Sequence, residues 1–244
     1  MKRKTVSFLA ALLLLLTLAI VNAQKQDKPW TDWSKKEAEK VLKDSPWAQT
    51  QTDTDTTEMF FTPGKGGVDT GVNSAGNRDF HGATNQSVGV TFHVRFFSAR
   101  PVRMALVRTM ELQQQPTPEI AEKLRNFAEL KSSNSIIVTV TFESSDQRYQ
   151  REVMQAFNSA ITATLKNTTY LERGDGKRLF LEEYVPPGRD GFGARFIFLR
   201  EMGGQPFITA NIAQVRFHTQ YPDGIKVDRP FKVADMMYEG ALEY

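Results

Sequence analysis

Residues 88–97, Val-Gly-Val-Thr-Phe-His-Val-Arg-Phe-Phe, decide the fold. Val88, Val90, Phe92, Val94 and Phe96 alternate with Gly89, Thr91, His93, Arg95 and Phe97. Successive side chains of a strand point to opposite faces, so this period of two predicts a half-buried strand. Beyond it, residues 100–115 carry Val102, Leu106 and Met110 at helical spacing, with Pro101 in the first turn, where its missing N–H costs nothing. Thr117-Pro118-Glu119 opens a second helix with Ile120, Leu124, Phe127 and Ala128 on one face. Ile136, Val138, Val140 and Phe142 predict the next strand. Residues 147–166 predict a long helix, with Tyr149, Val153, Phe157, Ala160, Ile161, Thr164 and Leu165 inward.

The remainder reads as a meander. Arg173-Gly-Asp-Gly176 joins strands at 168–172 and 177–185, and Gly203-Gly204-Gln205 joins 193–201 to 206–218. Pro222-Asp223-Gly224 turns the chain toward a last segment, 230–244. Strand, two helices, strand, helix and meander together predict an α+β domain over 88–244, with a largely antiparallel sheet and helices packed on one face.

Upstream of that body the pattern weakens. Ser34 and Glu37 have capping-box spacing, Trp33 and Ala38 sit where a hydrophobic staple would, and Ala38, Val41 and Leu42 form a narrow stripe. Residues 49–58 are Thr, Asp and Gln repeats and 62–87 are rich in Gly, Asn, Asp and Ser, with Met59-Phe60-Phe61 as the apolar foothold. The expectation is a helical arm at 24–48 tethered by an irregular segment at 49–87.

Lys2-Arg3-Lys4, the apolar run Phe8 to Ile20 and Val21-Asn22-Ala23 have the order of a secretory signal, which predicts removal of residues 1–23 and a mature chain starting at Gln24. The run is short of the ~20 residues needed to span a bilayer. No later stretch is long and apolar enough to span. The expected location is the periplasm or the exterior.

Composition narrows the chemistry. The 244 residues are 40% hydrophobic and 24% charged, which fits a globular protein and excludes collagen-like, coiled-coil and mostly disordered chains. The net charge of +3 resides in Lys2, Arg3 and Lys4; without them basic and acidic residues balance, which argues against nucleic acid as a partner. The chain has no cysteine, so disulfides, thiol nucleophiles and thiolate metal sites are excluded.

Three stretches resemble a group of uncharacterised secreted bacterial proteins with no assigned activity. They are Trp33-Ser-Lys-Lys-Glu37-Ala-Glu-Lys-Val-Leu42 with Ser45-Pro-Trp-Ala48, Ser98-Ala-Arg-Pro-Val-Arg103, and Phe231-Lys-Val-Ala-Asp235-Met-Met-Tyr. The resemblance implies export and overall build, and carries no functional residues with it.

Catalytic patterns are lacking. There is no G-x-S-x-G elbow, no H-E-x-x-H and no P-loop spacing around Pro63-Gly-Lys-Gly-Gly67. Asp53-Thr-Asp55 lacks the glycine a calcium loop requires. Arg173-Gly174-Asp175 reads as turn chemistry rather than an adhesion motif. Glu182 and Glu183, as strand neighbours, point apart and cannot form the facing pair of a glycosidase. No catalytic residue, metal site or cofactor is assigned.

Two binding constellations remain. His93 and Arg95 share one strand face, and Arg216 and His218 share another. Should those strands lie side by side, the four would converge on a carboxylate or phosphate. Trp30, Trp33 and Trp47 would either pack the arm onto the body or anchor a partner. The functional expectation is a non-catalytic binding protein for a protein or envelope component. The alternative is a hydrolase with an unrecognised site.

Overall fold

The structure, a computed structural model, describes residues 28–54, 89–131 and 134–244. The signal segment, the 55–87 part of the irregular segment, Asp55 of the acidic pair and the Pro63–Gly67 run lie outside the described residues. The fold is α+β, and every strand pairing is antiparallel.

The elements in chain order are α1 (Lys35–Lys43), β1 (Ala48–Thr54), β2 (Gly89–Phe96), α2 (Arg100–Gln114), α3 (Pro118–Glu129), β3 (Ser135–Ser144), α4 (Gln147–Ser159) and a single turn α5 (Thr162–Leu165). Then follow β4 (Thr169–Arg173), β5 (Arg178–Phe180), β6 (Glu183–Val185), β7 (Ala194–Leu199), the short hairpin β8 (Glu201–Met202) and β9 (Gln205–Pro206), β10 (Gln214–Gln220) and β11 (Lys226–Lys232). A second short hairpin, β12 (Met237–Tyr238) and β13 (Ala241–Leu242), closes the chain.

The strands divide between two main sheets, ordered β1-β2-β3-β7-β6 and β11-β10-β4-β5. The hairpin expected at Gly203-Gly204-Gln205 forms in β8 and β9, but the division corrects the extension of its arms over 193–218. β7 joins the first sheet, and β10 pairs with β4 and β11 in the second. The cause is apolar area on both elements. Phe196 and Phe198 on β7 and Phe217 on β10 project inward and meet edge to face, with ring centroids 5.1 and 6.4 Å apart. Stacking two sheets buries all three rings, whereas one flat sheet would leave an apolar face to be covered elsewhere. Phe96 against Phe231 at 4.8 Å repeats the contact farther along. Each such pair is worth about 0.5–1.5 kcal/mol beyond the area it buries.

The sheets are joined at both margins. On one, Leu181 N–H donates to Thr169 in the second sheet while Glu182 N–H donates to Ile197 in the first, so β5 runs on into β6. On the other, the buried Gln51 side chain of β1 donates to the Lys226 carbonyl and accepts from the Asp228 N–H, both at 2.8 Å. The result is a flattened barrel filled with aromatic side chains.

Residues 49–54 are therefore not irregular: they pair with β2 from Gln49↔Val94 to Thr54↔Gly89. Nor is the N-terminal helix a tethered arm. Ala38, Leu42, Trp47 and Ala48 are buried, the first three in the main core. The Ser34–Glu37 capping box forms as its spacing predicts. The long helix over 147–166 is broken. α4 ends at Ser159, Ile161 is extended, and the Thr164 hydroxyl accepts from Ile161 N–H. Phe157, Ala160 and Leu165 lie in the core on either side of the break.

Candidate functional site

Between α4, the end of β3 and the 186–193 loop lies a cleft of about 500 Å³. β3 outlasts one of its neighbours. Its pairing with β7 stops at Val140↔Ala194, whereas that with β2 continues to Ser144↔Val90. Among the described residues, 141–144 thus have a strand on one side only, and the space on the other is the cleft. α4 is aimed across it by an Asp146 cap, whose side chain accepts from Arg148 N–H at 2.7 Å. The floor is Val140, Phe142 and Phe157. Met154 forms one lip, 43% exposed, and Pro187 with its glycines the other. Gly191 and Gly193 take positive φ, 75° and 81°, which lets the loop turn tightly against β3.

The polar groups lining the cleft are few: Thr141, Gln150 and Arg151. Two are engaged. Thr141 Oγ1 accepts from Arg95 at 2.9 Å, and Gln150 Nε2 donates to the Ser144 carbonyl at 2.7 Å. Among the residues that line it there is no carboxylate and no histidine, so no acid–base couple faces a ligand there.

The four residues expected to form an anion cradle do not meet. β2 lies between β1 and β3, β10 between β11 and β4, in different sheets. Each pair has found an internal carboxylate instead. His93 Nδ1 lies 3.1 Å from Thr50 Oγ1, and its Nε2 stands 3.4 Å from Glu143 Oε1, in ion-pair range but outside hydrogen-bond geometry. Burial, then the nearby Arg95 charge, hold its pKa below the ordinary value. Arg95 donates to the Leu42 carbonyl at 2.6 Å and to Thr141, and burial pushes its pKa down to about 10. Arg216 and His218 share Asp228, with His218 Nδ1 3.0 Å from one oxygen and Arg216 on the other. Burial raises the Asp228 pKa, but the hydrogen bonds from His218 and Arg216 outweigh it and hold the carboxyl low. His218 also stacks on Tyr170 at 4.7 Å. The Asp228 pairing had a signal: His218 and Asp228 are equally distant in sequence from the centre of the 222–224 turn, so a symmetric hairpin sets them opposite.

The tryptophans pack inward. Trp30 and Trp47 are 6% and 8% exposed, and Trp33 packs against the core from a half-buried position. Trp47 Nε1 donates to the Glu243 carbonyl at 2.9 Å, and Trp30 Nε1 to Glu129 at 3.1 Å. Trp30 and Trp47 are thus clamps of the N-terminal segment, not presented anchors. Arg173 and Asp175 pair with each other at 2.8 Å across their turn.

No cluster of three or more His, Asp or Glu able to hold a metal occurs among the described residues, and none of their helices is long and apolar enough to cross a membrane. No family model, curated protein or solved structure matches the chain. The class that the fold defines is an α+β protein with two stacked antiparallel sheets and an apolar cleft beside α4. No motif marks that cleft. Its trace in the sequence is the Pro186-Pro187-Gly188 to Gly193 run, which breaks the strand pattern where the edge of β3 is left open.

Proposed function

We propose that this is an exported, non-catalytic binding protein that engages a component of the cell envelope through the cleft beside α4. The observation that carries the reading is the lining: apolar side chains, a single cation and no acid–base couple. Ligand sites of this size combine an apolar wall with a few orienting polar groups, whereas hydrolysis requires a base within reach of the group it activates. The strongly displaced groups do not line the cleft: Tyr184, pushed up to about 12, and Tyr221 lie in the core, where burial is the first cause of both shifts, burial likewise lowers Arg95, and Glu37 caps α1. They are structural.

Two measurements test the proposal. The intact mass of protein recovered after export is expected to correspond to a chain starting at Gln24; retention of residues 1–23 contradicts signal removal. Wild-type protein and a Met154→Glu variant are then immobilised and exposed to envelope extract. The expected result is a component retained by the wild type and lost from the variant, with both proteins showing the same circular dichroism. Identical retention, or turnover of nitrophenyl esters or glycosides by the wild type, overturns the binding reading.

A further inference from the structure

We infer that the cleft takes a single-chain anionic amphiphile, with an acyl tail along Phe142, Met154 and Phe157 and a carboxylate head at Arg151. The inference rests on the binding role proposed above and names the chemistry of its ligand. Arg151 lines the cleft, is exposed, and donates only to the Gln147 carbonyl of its own helix at 3.4 Å. Among the described residues no carboxylate lies within ion-pair distance of it. Glu152, next in the chain, lines a separate groove with Gln155, Ser159 and Asp223 rather than the cleft; Asp146 is held by Arg148 at 2.8 Å, and Asp190, on the opposite loop, by Arg195 at 2.8 Å. Arg189 on that loop is exposed and likewise has no ion pair among the described residues. The cleft thus carries one cation above an apolar floor, and among the described residues that line it no carboxylate faces that charge.

A peptide would also find apolar area here, but the lining offers one charge, and its other two polar side chains, Thr141 and Gln150, are already turned to protein partners. That favours a ligand with a single charged end and an otherwise featureless body. Guanidinium against carboxylate is the strong, charge-assisted form of hydrogen bond. The tail gains by leaving water, at roughly fourfold in affinity per methylene fully buried.

The test is calorimetric titration of the purified full-length exported protein, at low ionic strength, with octanoate, decanoate and laurate below their micellar concentrations, and with dodecanol as the uncharged control. Affinity is expected to rise about fourfold per methylene along the series. Arg151→Gln is expected to weaken laurate about fivefold and leave dodecanol unchanged, Arg151→Lys to restore part of the loss, and added salt to weaken laurate alone. Met154→Glu is expected to abolish binding of both. Equal affinity for laurate and dodecanol with no effect of Arg151→Gln overturns the anionic head and leaves the apolar binding site standing. Failure of every amphiphile to bind, while the envelope component is still retained, overturns the amphiphile and spares the binding role. Failure in both experiments removes both.

Discussion

At Gly193 the backbone stands at φ +81°, and a Cβ would lie 2.4 Å from the Val140 carbonyl oxygen and 2.6 Å from Thr141 Cγ2. Strain and collision therefore coincide, and the atom struck is backbone. Gly193→Ala is expected to destabilise the protein by about 3 kcal/mol or more. Gly176→Ala, at the same φ with nothing within 4 Å, should cost only the conformational part, about 1–2 kcal/mol. Urea denaturation midpoints of the two variants check the contrast; equal losses would show that the loop gives way. The turn role of Gly176 is legible in Arg173-Gly-Asp-Gly176, because turn chemistry is local. Gly193 gives no such sign, because the oxygen it must avoid belongs to a strand more than fifty residues earlier. His93, Arg95, Arg216 and His218 were legible as polar strand residues, but of their partners only Asp228, opposite His218 across the 222–224 turn, left a trace in the sequence. Glu143 and the Leu42 carbonyl reach them only through register and helix docking.

Among the elements, α1 and β1 show opposite degrees of legibility. The α1 cap is written in four residues. Glu37 receives the Ser34 backbone N–H at 2.6 Å, then the Ser34 hydroxyl, with Lys28 adding to the effect, and its pKa falls from an ordinary 4.5 to about 2. The folded state thus binds this proton less readily than the unfolded chain. The contribution of the cap is complete above about pH 4.5 and is lost as pH falls through about 2. Wild type is expected to exceed Glu37→Gln in stability at neutral pH, and the two should converge toward pH 2 in a pH series of urea titrations. A constant gap would refute the role of the charge. β1, by contrast, has almost no apolar residue, yet it forms because its backbone pairs with β2 and Gln51 bridges to β11. Gln51→Ala removes one donor and one acceptor at that joint, which should cost about 2 kcal/mol and speed hydrogen exchange at the Asp228 amide. Unchanged exchange would mean that the joint is held by something else.

For the whole molecule, the N-terminal segment closes the structure. Trp47 reaches the Glu243 carbonyl, Arg100 pairs with Glu243 at 2.6 Å, and α1 packs on α2. A chain starting at Gly89 would lose Ala38, Leu42 and Trp47 from the core and leave β2 an open edge prone to pair with other chains. It is expected not to fold into a protease-resistant body. Trp47→Phe, which keeps most of the apolar area but drops the hydrogen bond, should remain folded and lose about 1–2 kcal/mol. Limited proteolysis and thermal melts distinguish the two. A stable, monomeric 89–244 fragment would restore the picture of a dispensable arm.

What the sequence determined by itself was the content of the fold: an α+β chain, the strands at β2 and β3, helices α2 to α4 in outline, the α1 cap and the turns. These follow from periodicity, capping and turn chemistry, all of which act within a few residues of one another. The tertiary structure alone decided that the strands divide into two stacked sheets, that a polar repeat serves as an edge strand, that α4 breaks at Ala160, and that a cleft opens where β3 outlasts β7. Each depends on which distant surfaces bury one another. Burial is set by area removed from water in three dimensions, and alternation along a strand marks the face that must be covered without saying what covers it.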